Sequence, residues 1–264
     1  MANLVDYATD RGVALITLND PAVNAFTHEM VKELDESITD ARFDEDVQVV
    51  LVTGRGDHCF SAGTNIAMLR EVDRGFRSNF YRHASEVLLR LENTPKLVIA
   101  ALNGHASGLG FELALAADVR VARKGEGTLS LPQIDYGILP GAGGVQRLVR
   151  CVGKGRATQL LLEGMRVGFE HAQNLGLVSY VWDCESGADF LDKAVAHARR
   201  FLLPERPSHA FGKLKRAIRA AYELPLDQAL ALEAEMQEQL LATEDFANAL
   251  QAWLDKREVT FQGR

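Results

Sequence analysis

The chain has 264 residues, of which 47% are apolar, so it is long enough to form one large domain with a substantial buried core. Charged residues make up 25%, a proportion typical of ordinary globular proteins. The formal net charge of -7 argues against nucleic acid as the main partner, because proteins that bind nucleic acids usually present a basic face.

Short apolar runs alternate with segments of helical periodicity through the first three quarters of the chain. Strands are predicted at residues 13–18, 47–53, 97–102 and 119–122. Amphipathic or apolar helices are predicted at residues 27–41, 76–91 and 111–116. Repeated steps from strands to a helix indicate an α/β fold, in which sheet layers stack and helices lie outside them.

The composition changes near residue 186, after which only helical patterns occur. Helices are predicted at residues 188–203, 210–222, 226–241 and 245–257, and Ser186 is suited to cap the first of them. We therefore divide the chain into an α/β part, residues 1–185, and a helical C-terminal subdomain, residues 186–264. Leu and Ala positions give these helices apolar faces, so we expect this subdomain to dock on a neighbouring subunit.

The cysteines, the N-terminal residues and the lengths of the apolar runs predict a cytoplasmic protein without a bound metal. Cys59, Cys151 and Cys184 are odd in number and have no metal-ligand spacing, so free thiols in a reducing compartment are expected. Residues 1–12 contain no apolar run of the kind found in signal peptides. No apolar stretch approaches the ~20 residues needed to span a membrane.

The first of three segments suited to chemistry is CFSAGTNIAML, residues 59–69. Gly63 permits a sharp turn, and Thr64 or Asn65 can cap the helix that follows. Unpaired N–H groups at such a helix start form a natural site for developing negative charge. An ordinary strand–loop–helix connection would show the same pattern.

The second segment, NGHASGLGFELALAAD at residues 103–118, leads from a buried strand through a Gly-rich turn into a helix. Glu112 lies in the first turn of this helix among apolar neighbours. The helix dipole favours its ionised form and burial disfavours it, a balance suited to an acid or a base. Alternatively, Glu112 interacts only with the N-terminus of its own helix.

The third segment, LSLPQIDYGILPGAGGVQRL at residues 129–148, predicts a long irregular loop that enters a helix at Val145. Loops of this length often line binding sites. Gln133 and Asp135 are the polar residues best placed to project from it, although both types also serve as turn-capping side chains.

In order and spacing, the three segments resemble the crotonase superfamily, also called the enoyl-CoA hydratase/isomerase family. The second is similar to the family's NG-x-A-x-GGG-x-E-L-A-x-x-x-D segment, and the third to PE-x-x-x-G-x-x-PG-x-GG-x-QRL. CFSAGTNI is similar to F-x-AG-x-D, and Lys256-Arg257 followed by Phe261 resembles the family's C-terminal ending. The likeness covers nearly the whole chain.

The resemblance implies a spiral of ββα units, with a C-terminal helical region that assembles trimers or hexamers. It implies an acyl-CoA substrate, with no cofactor beyond the coenzyme A that the substrate carries. Backbone N–H groups of Thr64 and Leu109 are expected to form an oxyanion hole that stabilises a thioester enolate. Three further positions match CoA-binding positions of the family: Ala62, Trp253 and Lys256.

One departure from the family pattern leaves the reaction open. Family hydratases use two glutamates; the first matches Glu112, but Gln133 stands in place of the second, and a neutral amide cannot exchange protons at neutral pH. Asp135 can compensate only if the loop bends differently. We expect a hydratase- or isomerase-like enzyme. The alternatives are a decarboxylase of malonyl-type thioesters, a user of acyl-carrier-protein thioesters, or a catalytically weak acyl-CoA- or RNA-binding relative.

Overall fold

The computed structural model describes residues 3–21, 23–125 and 127–264, so Met1, Ala2, Ala22 and Glu126 lie outside the described residues. The strands are β1 Val5–Asp10, β2 Val13–Leu18, β3 Ala25–Phe26, β4 Val49–Gly54, β5 Cys59–Ser61, β6 Gly63–Thr64, β7 Leu97–Leu102, β8 His105–Ser107, β9 Val119–Arg123, β10 Thr128–Ser130, β11 Arg166–Gly168 and β12 Tyr180–Trp182. The helices are α1 His28–Phe43, α2 Ile66–Glu71, α3 Arg74–Glu92, α4 Leu109–Ala116, α5 Gly144–Leu162, α6 Phe169–Asn174, α7 Gly187–Arg199, α8 Ser208–Glu223, α9 Leu226–Leu241 and α10 Glu244–Leu254, with a 3₁₀ helix at Pro132–Tyr136.

The strands form two larger sheets and one short pair. The first sheet has the order β1-β2-β4-β7-β9-β12, and only its β1–β2 pair is antiparallel. The second sheet has the order β11-β10-β8-β5, and β3 pairs with β6. Three strands of the first sheet, β4, β7 and β9, are each followed by a strand of the second, β5, β8 and β10, so the chain passes between the two layers before the next helix. This arrangement confirms the predicted stack of sheets with helices outside.

Alternating residues of the first sheet supply two separate apolar cores. In β4, Val50 and Val52 join the larger core, which contains residues of α1, α3 and α4. Val49 and Leu51 point to the opposite face, where they pack in a core with Phe190 of α7. This alternation follows from the two-residue period of a strand. Because both faces are covered, β4 is apolar at each of its first four positions.

Side-chain caps fix the starts of several helices. Asn65 accepts a hydrogen bond from the Met68 N–H at 3.0 Å, so Asn65, rather than Thr64, is the N-cap of α2. Ser186 accepts from the Asp189 N–H at 3.1 Å, which confirms the predicted cap of α7. Each cap satisfies a backbone donor that the helix itself leaves free.

The C-terminal region is helical, as predicted, but its first helix differs from the other three in packing. α7 covers one face of the first sheet, whereas α8, α9 and α10 carry many exposed apolar side chains. The exposed set includes Leu226, Leu230, Trp253 and Leu254. The division at residue 186 and the oligomeric role of the subdomain stay predictions. No helix in the described part of the chain is long and apolar enough to cross a bilayer.

Candidate active site

A cavity of about 380 Å³ lies beside β6 and the end of β8, at the N-termini of α2 and α4. Its walls come from three parts of the chain that the sequence had singled out separately, together with α3. Lining residues include Ala62, Thr64, Tyr81, Leu109, Gln133 and Tyr136. The walls are mostly apolar with a few polar groups, which is the usual character of a small-molecule site.

Two glycines bring the backbone at Thr64 close to the start of α4. Gly63 has φ +89°, and a Cβ atom there would lie 2.6 Å from the Ser107 carbonyl oxygen and 3.2 Å from the Leu109 nitrogen. Gly108, the N-cap residue of α4, has φ +50° and provides no side-chain cap. Leu109 is the first residue of α4, so the helix supplies no acceptor for its N–H. The segments predicted to form an oxyanion hole therefore meet at one wall of the cavity.

Glu112 is fully buried, and α5 rather than its own helix binds its carboxylate. Glu112 Oε1 accepts hydrogen bonds from the N–H groups of Ala142 and Gly144, both at 2.8 Å. Gly144 is the first residue of α5, so the positive end of that helix faces the carboxylate. The simpler interpretation, in which Glu112 only interacts with the N-terminus of α4, is wrong.

The second carboxylate oxygen of Glu112 is unpaired within the described residues, although Glu112 itself is not among the residues that line the cavity. Glu112 Oε2 is buried and has no hydrogen-bond partner among the described residues. Burial raises the pKa of Glu112 above its ordinary value, although the Gly144 and Ala142 N–H groups and the Arg147 charge lower it in part. A buried carboxylate with one fixed oxygen and one free oxygen is suited to accept a proton from a bound molecule.

Arg147 stabilises the segment 142–144, whose N–H groups bind Glu112. The Arg147 Nη1 group donates to the Ala142 carbonyl at 2.8 Å, and Nη2 donates to Glu92 Oε2, also at 2.8 Å. Glycine is needed in this loop because a Cβ at Gly144 would lie 2.8 Å from Glu112 Cγ. Arg147 has no separate signal in the sequence, although it is the arginine of the QRL letters at the end of the third segment.

Gln133 lies on the cavity, whereas Asp135 does not. Gln133 is 8% exposed, and its Oε1 has no hydrogen-bond partner in the part of the chain described. Its Nε2 lies 3.4 Å from the position that a Cβ of Gly108 would occupy. Asp135 is exposed and faces Gly164, so it does not take the place of the missing acid.

Tyr81 of α3 is a polar cavity residue that sequence reasoning had not singled out. Its ring packs on the Gly141 backbone, where a Cβ would lie 2.8 Å from Tyr81 Cδ1. Burial raises the pKa of Tyr81, the nearby Thr64 hydroxyl lowers it, and the Glu112 charge raises it further. Tyr81 and Thr64 line the same cavity. A lone Tyr within an amphipathic helix gives no signal of this placement.

The predicted CoA-binding residues occupy two separate regions. Ala62 lines the cavity, and its N–H donates to the Val23 carbonyl at 3.0 Å. Trp253, near the end of α10, is 78% exposed and does not line this cavity, and Lys256 follows it with φ +54°. Within one copy of the chain, the structure thus brings Ala62 to the site but not the other two.

Comparison with known proteins identifies the family. The model of a family described as enoyl-CoA hydratase/isomerase matches residues 8–264. The chain belongs to the enoyl-CoA hydratase/isomerase family. It is 38% identical to the 2,3-dehydroadipyl-CoA hydratase of Escherichia coli over 96% of each chain. It is 34% identical to the short-chain-enoyl-CoA hydratase of Clostridium acetobutylicum, covering 94% of this chain and 93% of that protein.

Solved structures of the family confirm the fold class. The crystal structure of an enoyl-CoA hydratase from Geobacillus kaustophilus matches with a TM-score of 0.93 and 33% identity, covering 100% of this chain and 98% of that one. An enoyl-CoA hydratase from Bacillus anthracis matches with a TM-score of 0.90 and 31% identity over 98% of both chains. The expected crotonase-like α/β fold with a helical C-terminal region is therefore correct, and the protein is an enzyme of this family that acts on acyl-CoA.

Proposed function

We propose that this enzyme hydrates 2-enoyl-CoA thioesters, with Glu112 as the base that activates water. The carboxylate geometry carries this proposal. Backbone donors fix Oε1, so Oε2 is held in one orientation with its acceptor capacity unused by the described residues. A water molecule that donates a proton to Oε2 would be oriented for attack on the β-carbon of a bound enoyl group.

The thioester oxygen would be bound by the N–H groups of Thr64 and Leu109. Attack at the β-carbon moves negative charge to that oxygen, and each preorganised donor contributes about 3–4 kcal/mol to stabilising such a charge. The closeness of Gly63 to the Leu109 nitrogen supports convergence of the two donors. Because the donors are backbone groups, the Leu109 side chain does not interfere with the role.

Crotonyl-CoA is the first substrate to test. Loss of the enoyl absorbance should be rapid with the native protein and should fall by about 10²–10⁴-fold in a Glu112→Gln variant, the usual contribution of a general base. The amide can still accept hydrogen bonds from Ala142 and Gly144, so the loop should keep its geometry. Equal rates in the two proteins would contradict the role of Glu112, and no turnover by the native protein would contradict hydration of this substrate.

Gln133 favours one second candidate, a decarboxylase of malonyl-type thioesters. Departure of CO₂ leaves the same enolate and needs no base, so an amide at Gln133 would be sufficient. Malonyl-, methylmalonyl- and ethylmalonyl-CoA would be incubated with the enzyme and released CO₂ measured. Faster CO₂ release than hydration of crotonyl-CoA would favour decarboxylation, whereas the reverse result would favour hydration.

The proposal also covers the acyl group of the substrate and the oligomeric state of the enzyme. The names of the relatives include a short-chain enoyl-CoA and 2,3-dehydroadipyl-CoA, so acyl groups of both kinds belong in a substrate panel, with acyl-carrier-protein thioesters beside them. We propose a cytoplasmic homotrimer or hexamer in which Trp253 and Lys256 approach the CoA of a neighbouring subunit. Calorimetry with acyl-CoA and with RNA tests the weak-binder alternative, because RNA binding would depend strongly on salt.

A further inference from the structure

The proposed enolate needs a proton donor for its α-carbon, and Gln133 cannot serve as that donor. An amide does not release a proton at neutral pH, and Asp135 faces away from the cavity. Glu112 receives a proton from water when the water oxygen bonds to the β-carbon. The α-carbon must then be protonated for hydration to finish, and a separate donor on the cavity wall would leave Glu112 to act on water alone. Tyr81 and Tyr136 are the phenol groups that line the cavity within the described residues.

Of these two, Tyr81 is better placed. Tyr136 is 64% exposed at the end of the 3₁₀ helix, whereas Tyr81 is partly buried in the larger apolar core. The Gly141 backbone contacts the Tyr81 ring, and Gly144 of the same loop contacts the side chain of Glu112. Tyr81 and Glu112 therefore pack against opposite ends of the segment 141–144, which leads into α5, and Thr64 lines the same cavity as Tyr81.

We propose that Tyr81 is a catalytic residue that donates its hydroxyl proton to the α-carbon of the enolate. This inference depends on the proposed enolate chemistry. In hydration, the water oxygen bonds to the β-carbon and its proton goes to Glu112, while the Tyr81 O–H bond breaks and a C–H bond forms at the α-carbon. The proton on Glu112 then passes to the Tyr81 phenolate. Both residues return to their starting forms, and the net change is addition of one water molecule.

The hydroxyl of Tyr81 is protonated in the resting site. Burial and the Glu112 charge both raise the pKa of Tyr81, which keeps the hydroxyl protonated at neutral pH, and the Thr64 hydroxyl lies close enough to lower that pKa in part. The phenol therefore starts the reaction with the proton it has to give. The same donor would protonate the enolate left by loss of CO₂, so the assignment does not depend on how the enolate forms.

The test compares Tyr81→Phe with Tyr136→Phe, because each substitution removes one cavity hydroxyl and keeps the ring. With crotonyl-CoA, kcat should fall by about 10²–10⁴-fold in Tyr81→Phe, with little change in the affinity for butyryl-CoA measured by calorimetry. The loss should be at least tenfold smaller in Tyr136→Phe. A loss as large in Tyr136→Phe, or no loss in Tyr81→Phe, would overturn the proposal.

Two further readouts separate proton donation from a merely structural role. In D₂O, the native enzyme should place deuterium on one face of the α-carbon, and Tyr81→Phe should place it on both faces because solvent becomes the donor. Adding Gln133→Glu to Tyr81→Phe should restore kcat at least tenfold and should give a smaller gain in the native background. Retained stereospecificity together with no rescue would overturn the assignment.

The same assays distinguish failure of this assignment from failure of the proposed function. If the native protein turns over neither crotonyl-CoA nor the malonyl-type thioesters, the proposed enolate chemistry is refuted, and the Tyr81 assignment with it. If the native protein is active and Tyr81→Phe is equally active and stereospecific, only the Tyr81 assignment is refuted. Thermal unfolding of each variant checks that the fold is retained.

Discussion

Gly144 should be essential for both stability and catalysis, because its backbone lies against the carboxylate that it binds. A Cβ added there would lie 2.8 Å from Glu112 Cγ, 3.0 Å from Glu112 Oε1 and 3.0 Å from Pro140 Cβ. Non-bonded carbon atoms normally lie at least ~3.5 Å apart, so the Glu112 side chain would have to move by about 0.7 Å or more. We therefore expect Gly144→Ala to displace the carboxylate from its hydrogen-bonded position.

The magnitude follows from the contacts that this displacement would disturb. Overpacking in a well-packed core costs about 1–3 kcal/mol in the free energy of unfolding. The two 2.8 Å hydrogen bonds to Glu112 Oε1 would lengthen toward the limit of useful geometry. A displacement near 1 Å at a catalytic group can cost about 10²-fold in rate. Gly144→Ala should therefore lose about 1–3 kcal/mol of stability and about 10²-fold in kcat.

Gly155, also in α5, provides a matched control. A Cβ at Gly155 would meet no described atom within 4 Å, and its φ is not in the left-handed region. Gly155→Ala should leave stability unchanged or raise it by up to about 1 kcal/mol, with kcat unchanged. Urea unfolding and crotonyl-CoA hydration would be measured on both variants. Equal behaviour of the two would refute the argument, and a destabilised but fully active Gly144→Ala would show that Glu112 is not the base.

Three other predictions concern ionisation and packing. Burial raises the pKa of Glu112, so the folded protein favours the protonated side chain. The stability that this protonated side chain contributes is present below the pKa of Glu112 in the unfolded chain, and it is lost as the pH rises through the pKa in the folded protein. The ionised carboxylate, which is the proposed base, forms over the same pH range. Stability should therefore fall and hydration rate rise over one pH range above the ordinary Glu pKa, and unfolding and rate profiles of Glu112→Gln should lack both changes. Arg120 is buried and donates hydrogen bonds to the carbonyls of Ala114, Ala117 and Leu177. Arg120→Met should therefore lower the free energy of unfolding, measured in urea, by about 3 kcal/mol. A decrease below about 1 kcal/mol would contradict this reasoning. Burial raises the pKa of the Cys59 thiol to about 11. In timed alkylation at pH 8, the exposed Cys151 should therefore react much faster than Cys59. Equal rates would show that Cys59 is more accessible than the structure indicates.

The sequence predicted most accurately the elements whose apolar pattern is long and continuous. β2, β7 and α9 begin and end at the predicted residues. The strands of the second sheet are only three residues long, so they contain too few residues to show a periodic pattern. β1 was also missed, because its outer residues are exposed and polar rather than apolar.

The site was predicted in its parts but not in its connections. The Gly-rich turns and Glu112 gave a local signal, because glycine and a buried acid are unusual within apolar segments. The partners of Glu112 are 30 and 32 residues away, so only the tertiary structure shows that α5 holds the carboxylate. Tyr81 is on a helix whose pattern describes its packing alone. Such contacts depend on which elements fold together, which local sequence does not specify.

In the proposed reaction, some roles belong to backbone groups and others to side chains. This difference explains which departures from the family pattern would affect catalysis. Under that proposal, the N–H groups of Thr64 and Leu109 bind the thioester oxygen, and backbone N–H groups also orient Glu112. A backbone donor survives a change of side chain, so Leu109 can stand where the family usually has glycine. The role of a second acid, in contrast, depends on the side chain itself. Under the same proposal, Gln133 in place of a second glutamate removes a proton donor while leaving enolate stabilisation intact, so we expect this enzyme to differ from two-glutamate hydratases in the protonation step.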